Sequence, residues 1–296
     1  MSEMGVMGDT ADPLAVRITG SGDPLVLIHG IATDSGIWTT VVPELARERM
    51  VVTVDLPGFG RSAPVGDGFE LATVAGAILD GLRRHGVPEP FHLVGHSLGG
   101  GVAIQFAAMH PESLRSLTLV APAGLRPLPS VVANLIGAGR MANLVAAGAD
   151  AFLAARRGAA PLTDLVWGRR LLLALTVADG AHVPPAVARG MIEASLSARR
   201  TGPALATITT TDLRPLLPRI SVPVGVIWGE ADLTVPIRAL DDLLEARPDA
   251  TAIRMADTGH VPMVERPADF IGALRGLISN DTSRESTAAA ALPDVL

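Results

Sequence analysis

His92-Leu93-Val94-Gly95-His96-Ser97-Leu98-Gly99-Gly100-Gly101 is the stretch that decides how this chain folds. The residues leading into it, Pro90 to Val94, are short, largely apolar and bounded by proline, the pattern of a buried strand. Beyond it, Val102, Ala103, Phe106, Ala107 and Met109 keep a helical period as far as His110-Pro111. Between the two lies Gly95-His96-Ser97-Leu98-Gly99, a Gly-x-Ser-x-Gly segment at a strand-to-helix junction. A serine hydroxyl is a poor nucleophile until a base takes its proton and the chain presents it clear of its neighbours. A tight turn does the presenting. Flanking glycines let the backbone crowd together, and the helix N-terminus aims free N–H groups at developing negative charge. The pentapeptide alone is a weak signal; the strand before it and the helix after it give it weight. The competing reading is a phosphate-binding loop, which wants Gly-x-x-x-x-Gly-Lys, and this chain has no lysine.

Composition narrows the chemistry further. The 296 residues suffice for one large or two small domains, and 48% of them are apolar, enough for a substantial core. Mean hydropathy is +0.39, yet the most apolar stretch, Met141 to Ala155, is interrupted by Asn143 and Asp150, so no membrane span is expected. The opening Met1-Ser2-Glu3-Met4 lacks a basic region leading into an apolar one, so no signal peptide is expected and cytoplasm is the default compartment. With no cysteine, thiol catalysis, thiolate metal sites and disulfides are excluded. All 24 basic residues are arginine, which removes Schiff-base and Ser-Lys mechanisms, and there is no tyrosine to act as an acid. A net charge of −6 argues against a nucleic-acid partner and leaves a small molecule as the expected one.

Outward from the serine, buried-strand runs alternate with helical runs. Leu14 to Ile18 alternates as a strand, and Leu25 to Ile28 is fully apolar, as for a strand covered on both faces. A helix is expected from about Trp38 to Arg49, a strand at Val51 to Val54, a helix from about Leu71 to His85 and a strand at Leu117 to Val120. From Gly124 to about Leu213 no β run appears, and three to five short helices are expected. Alternation resumes with Val222 to Trp228, a helix near Pro236 to Ala246, a strand at Thr251 to Met255 and a helix near Pro267 to Ile278. This is an α/β class chain: a mostly parallel central sheet with helices on both faces and an inserted helical segment. The expected organisation is a flexible arm over 1–13, a core over 14–123 and 214–278, a helical cap over 124–213 and a disordered tail over 279–296. Ligands in such sheets sit beyond the carboxyl ends of the strands.

A serine nucleophile needs a base. Of seven histidines, His260 in Asp257-Thr258-Gly259-His260-Val261-Pro262 follows a strand and precedes the last helix, at the same sheet edge as Ser97. His29 also ends a strand but suits a structural role holding loop backbone, and the side chain of His96 is expected to point away from Ser97. The base needs a carboxylate, and Asp232 in Gly229-Glu230-Ala231-Asp232 has the spacing, with Glu230 and Asp257 as weaker candidates. The chain order Ser97, Asp232, His260 is one of three known orders for such a triad.

With these residues the chain resembles the α/β-hydrolase superfamily from about Leu14 to Ile278. The resemblance rests on His29-Gly30, on Asp55-Leu56-Pro57-Gly58-Phe59-Gly60-Arg61-Ser62, on the serine turn and on Gly259-His260-x-Pro262-x-x-Glu265-x-Pro267. It implies an oxyanion hole from the backbone N–H groups of Leu98 and Ile31, with Asp55, Arg61 and Glu265 as scaffold residues, and no cofactor or metal. Relatives with an aspartate nucleophile are set aside by Ser97, so acyl transfer is expected, with an ester, thioester or lactone as substrate. Relatives that cleave carbon–carbon bonds share the triad and cap; their common Asn before the serine is His96 here. A ligand receptor on this fold has no need of all three triad residues.

Between Gly124 and Leu213 nine arginines face five acidic residues. They read either as a carboxylate-binding set or as solvated helix faces. Trp38, Trp167, His182 and Met191 are the candidate pocket residues, expected to enclose a small to medium, largely apolar substrate. Oligomeric state is left open.

Overall fold

The structure, a computed structural model, describes residues 13–127 and 159–289, with side chains through 279. Seven strands form one sheet in the order β1-β3-β2-β4-β5-β6-β7. They are β1 (Val16–Thr19), β2 (Pro24–Ile28), β3 (Met50–Val54), β4 (Phe91–His96), β5 (Leu114–Val120), β6 (Val224–Gly229) and β7 (Thr251–Met255). Only β1, at the edge, runs antiparallel, pairing Val16 with Val54; the other neighbours are parallel.

The apolar strand runs divide by parity between two cores. Val26 and Ile28, Val52 and Val54, Leu117 and Leu119, and Val226 and Trp228 face one layer. Leu25 and Leu27, Val51, Val120 and Ile227 face the other. A strand covered on both faces has no use for polar alternation, which is why these runs read as continuous. The first layer is closed by α2 (Leu71–Arg84), α3 (Leu98–Met109) and α7 (Arg238–Ala246). The second is closed by Trp38, Val41, α1 (Val42–Leu45) and α9 (Pro267–Ala289).

Two segments depart from the sequence expectation. In place of one helix from Trp38 to Arg49 there is a 3₁₀ turn, Ser35–Trp38, and then the single turn α1. The β-branched run Thr39-Thr40-Val41-Val42 followed by Pro43 interrupts any continuous helix there. Helix α9 continues to Ala289, past 278, where a disordered tail is expected. Once nucleated against the core, a helix extends at little cost, and no glycine or proline stands between Gly276 and Pro293.

Between β5 and β6 the described residues hold α4 (Val166–Leu173), α5 (Pro185–Ser197) and α6 (Thr201–Thr210), with 3₁₀ turns at Ala160–Asp164 and Gly180–His182. The expected arm and part of the expected cap, 1–12 and 128–158, lie outside the described residues. Short α8 (Pro262–Glu265) precedes α9. Among the described residues no helix is long and apolar enough to cross a membrane.

Candidate active site

Ser97 stands between the last residue of β4 and the first of α3, with φ 53° and ψ −117°. A non-glycine residue in that region costs energy, and the surroundings hold it there. The Ser97 N–H donates to Val120 O at 2.9 Å, and the Ser97 carbonyl accepts from Gly101 N at 3.1 Å and Ala123 N at 3.0 Å. The flanking glycines are required by contact. A Cβ on Gly99 would lie 2.3 Å from His29 O and 2.7 Å from Ile28 O; one on Gly95 would lie 2.4 Å from Gly99 O. Ser97 is 4% exposed and opens on a cavity of about 190 Å³ that His260 also lines.

His260 and Asp232 arrive on two loops after β7 and β6. Backbone bonds from Glu230 N to Met255 O (3.0 Å) and Ala231 N to Thr258 O (2.9 Å) tie these loops together. The His260 Nδ1 lies 2.7 Å from Asp232 Oδ2, with both side chains buried. A carboxylate oxygen only accepts, so Nδ1 carries the proton, and in the neutral ring Nε2 is then left with its lone pair. The second oxygen, Asp232 Oδ1, accepts from Thr234 N at 2.8 Å and Val235 N at 2.9 Å. These bonds fix the carboxylate plane, which in turn fixes the imidazole.

Leu98 is the first residue of α3, so its N–H has no acceptor within the helix. Ile31 lines the cavity and follows Gly30, whose α-carbon packs on the nucleophile turn: a Cβ there would lie 3.0 Å from Ser97 Cβ and 3.0 Å from His96 Nδ1. His29 holds this loop. Its Nε2 accepts from Leu56 N at 2.8 Å and its Nδ1 donates to Gly30 O at 2.7 Å. Burial holds the His29 imidazole below its ordinary pKa, keeping it neutral in this double role. Asp55 acts alongside it, accepting from Ser35 N at 2.8 Å and Arg61 N at 3.0 Å. Burial opposes its charge, but these hydrogen bonds outweigh burial and hold the carboxyl below the usual range.

His96 is oriented differently from the sequence expectation. It is a wall of the same cavity, and its ring lies 4.8 Å from the His260 ring. Its Nε2 donates to the His260 carbonyl at 2.9 Å. Complete burial, with His260 beside it, holds its pKa well below the ordinary value.

Of the four candidate pocket residues, Met191 lines the cavity and the other three lie elsewhere. Trp38 is fully buried between His96 (ring centroids 6.4 Å) and Phe270 (6.2 Å), so it supports the wall from behind. Trp167 is 56% exposed on α4. The His182 side chain is 78% exposed and 3.7 Å from Asp179, in a separate hollow with Arg266 and Asp257. The cavity is instead completed by Thr33, Ile37, Thr176, Ser195 and Thr234. Composition did not single these out, and only Thr234, two residues after Asp232, carried a positional signal. Arg169 and Arg170 are occupied locally, Arg169 with Gly180 and Thr163 carbonyls and Arg170 with Asp179.

The inserted helices are latched to the loops that carry Asp232 and His260 through backbone groups. His260 N donates to Thr176 O at 2.9 Å, and Thr234 Oγ1 donates to Leu175 O at 2.6 Å. Glu265 accepts from Ala178 N at 2.7 Å and from Gly259 N at 2.9 Å, spanning insertion and histidine loop. Burial raises the Glu265 carboxyl despite these bonds.

The fold and this arrangement define an α/β hydrolase. The alpha/beta hydrolase fold family matches residues 23–267, and the chain belongs to that family. It is 34% identical over 267 residues to a pimeloyl-acyl-carrier-protein methyl ester esterase of Methylococcus capsulatus, covering 87% of this chain and 96% of that protein. It is similar to the crystal structure of esterase RhEst1 from Rhodococcus sp. ECU1013, with a TM-score of 0.66, 26% identity and coverage of 90% and 94% of the two chains. A thermophilic esterase from Thermogutta terrifontis shares the fold, with a TM-score of 0.70 at 24% identity over 90% of this chain and 93% of that one.

Proposed function

We propose that this chain is a carboxylic ester hydrolase that works through an acyl-enzyme on Ser97, with Asp232 and His260 completing the triad. The observation that carries the proposal is the buried His260–Asp232 pair, 2.7 Å apart, on the cavity that Ser97 opens into. His260 Nε2 takes the Ser97 proton as Oγ attacks the ester carbonyl. The N–H groups of Leu98 and Ile31 hold the resulting oxyanion, and each such donor typically contributes about 10²–10³ in rate. Collapse expels the alcohol, which takes the proton from His260. Water then attacks the acyl-enzyme with the same base, releasing the acid and restoring Ser97. Asp232 holds the tautomer and stabilises the imidazolium. No cofactor enters any step. The inserted helices act as a cap, since residues 175–178 bind both catalytic loops through Leu175, Thr176 and Ala178.

The esterase names among the relatives support an ester as the bond cleaved. The substrate is a small molecule, and the inner cavity fits the short acyl or alcohol group next to the scissile bond. The test is hydrolysis of p-nitrophenyl esters, acetate through dodecanoate, by wild type and Ser97→Ala. Wild-type turnover falls by about 10⁴-fold or more in the variant, and a mass increment of one acyl group appears on Ser97 in quenched wild type. Equal turnover by both proteins would remove Ser97 as nucleophile; no turnover by folded wild type would remove the ester reading.

A further inference from the structure

A second and larger hollow adjoins the Ser97 cavity. It has a volume of about 500 Å³ and runs between loop 33–39 and α5. Thr33, Ile37 and Met191 line both spaces, so the two are continuous at those side chains. The inner cavity, about 190 Å³, is smaller than sites that enclose drug-sized ligands, which run to roughly 300–1,000 Å³. A substrate longer than a short ester has to continue into the outer trough.

The trough is shaped by what α5 leaves out. Ala186, Gly190 and Ala194 recur every four residues along one helix face, where longer side chains would fill the space. A Cβ added to Gly190 meets nothing within 4 Å, so the open volume begins at the helix backbone itself. Its chemistry is one-sided. Carboxylates stand on opposite walls, Asp34 on the loop and Glu193 on α5, and no arginine or histidine lines it. Among the described residues neither carboxylate is in an ion pair; Asp34 caps the following turn by accepting from Gly36 N at 2.8 Å. Arg17 and Arg61 line an adjoining hollow that shares Asp34, Gly36 and Thr39 with the trough, and there Arg61 lies 3.8 Å from Asp55.

We propose that this trough is the outer half of the substrate site, and that it receives an uncharged or cationic end of the ester and rejects an anionic one. The inference rests on the ester-hydrolase reading of Ser97. A substrate charge about 6 Å from one carboxylate in a wet groove shifts relative kcat/KM by about 3- to 10-fold, and salt screens the effect.

Two matched ester series test it at low and at ~1 M salt. One carries methyl, trimethylammonium or carboxylate at the far end of a p-nitrophenyl acyl chain. The other pairs butanoate with 3,3-dimethylbutanol, choline or a sulfonated alcohol of equal length. One series shows a cation-over-anion preference of about 10-fold that shrinks in high salt, and Glu193→Gln cuts it about threefold or more. Gly190→Leu, which fills the trough, lowers the decanoate-to-butanoate ratio of kcat/KM by about 10-fold or more. Leucine is a better helix former than glycine, and stoichiometric labelling of Ser97 by a small fluorophosphonate verifies that the variant site is assembled. Turnover of simple butanoates with both ratios flat, within about twofold across charge and unmoved by either substitution, overturns the trough and leaves the ester reading standing. Absence of wild-type turnover on every ester takes both down together.

Discussion

His96 is where the three loops of the site meet. Its backbone ends β4 beside Ser97, its Nε2 holds the carbonyl of His260, the proposed base, and its Nδ1 packs against the α-carbon of Gly30 in the proposed oxyanion loop. Because burial keeps the ring neutral, it can lie 4.8 Å from His260 without opposing the imidazolium of the proposed mechanism. In that mechanism it is a positioning residue that touches no reacting atom. His96→Ala lowers kcat by about 10-fold or more with a smaller effect on KM, since one buried neutral hydrogen bond is worth about 0.5–1.5 kcal/mol and misplacement of the base adds to it. His96→Gln, whose amide nitrogen falls near the Nε2 position and can donate to the same carbonyl, recovers part of the loss. The acid limb of the pH–rate profile stays where it is in both variants, because His96 does not titrate in that range. Movement of that limb, or equal losses in both variants, would show that His96 acts by charge or by bulk.

At the scale of elements, the nucleophile turn depends on how closely α3 and β2 approach each other. Gly99 sits where any Cβ would collide with backbone oxygens of Ile28 and His29, which have nowhere to go. Gly99→Ala therefore moves α3 or the oxyanion loop, costing about 2–4 kcal/mol in urea unfolding and most of the activity. A variant as stable and active as wild type would mean that the helix start is not fixed by this contact. Elements of this kind were legible in the sequence because they are local. Buried strands announce themselves as apolar runs, and glycine in a forced conformation leaves its own mark. That Ser97, Asp232 and His260 lie at one edge of the sheet could be read because each follows a strand end. The cavity wall could not. Trp167 and His182 suit a pocket by composition, yet α4 turns Trp167 to solvent and Asp179 draws His182 to another hollow. The 175–178 segment, which joins the insertion to the loops of Asp232 and His260, bonds partly through main-chain groups of Leu175, Thr176 and Ala178, which leave no trace in residue type.

Across the whole molecule, three buried histidines give stability a defined pH dependence. His29 and His96 are held below the ordinary value mainly by burial, and His92, beside Ser116 at 2.8 Å, is lowered to about 4 by burial and then by Arg49 and Arg115. Each folded pKa lies below the unfolded one, so below about pH 6.5 the unfolded chain binds protons that the folded chain refuses. Their contribution is complete above pH 6.5 and is lost as pH falls toward the folded values. Glu265 has the opposite sign: raised by burial, it favours the fold below 4.5 and loses that contribution as pH rises through its folded pKa. Where the windows overlap it offsets one of the three protons. The carboxyls held low, Asp55, Glu89, Asp179, Asp212 and Asp242, respond only below their own ordinary range near pH 4 and stay out of this window. Below about pH 6.5 each of the three adds at most one proton to the slope, about 1.4 kcal/mol per pH unit, and His92 keeps its share down to about 4. Urea unfolding midpoints are thus flat from about pH 8 to 7 and fall steeply from about 6.5 to 5. His92→Asn, which keeps a partner for Ser116 without the titrating ring, removes about one proton from that slope. A midpoint that stays constant down to about pH 5 would mean that these histidines are charged in the folded protein, and the bond that His29 Nε2 accepts from Leu56 N could not stand.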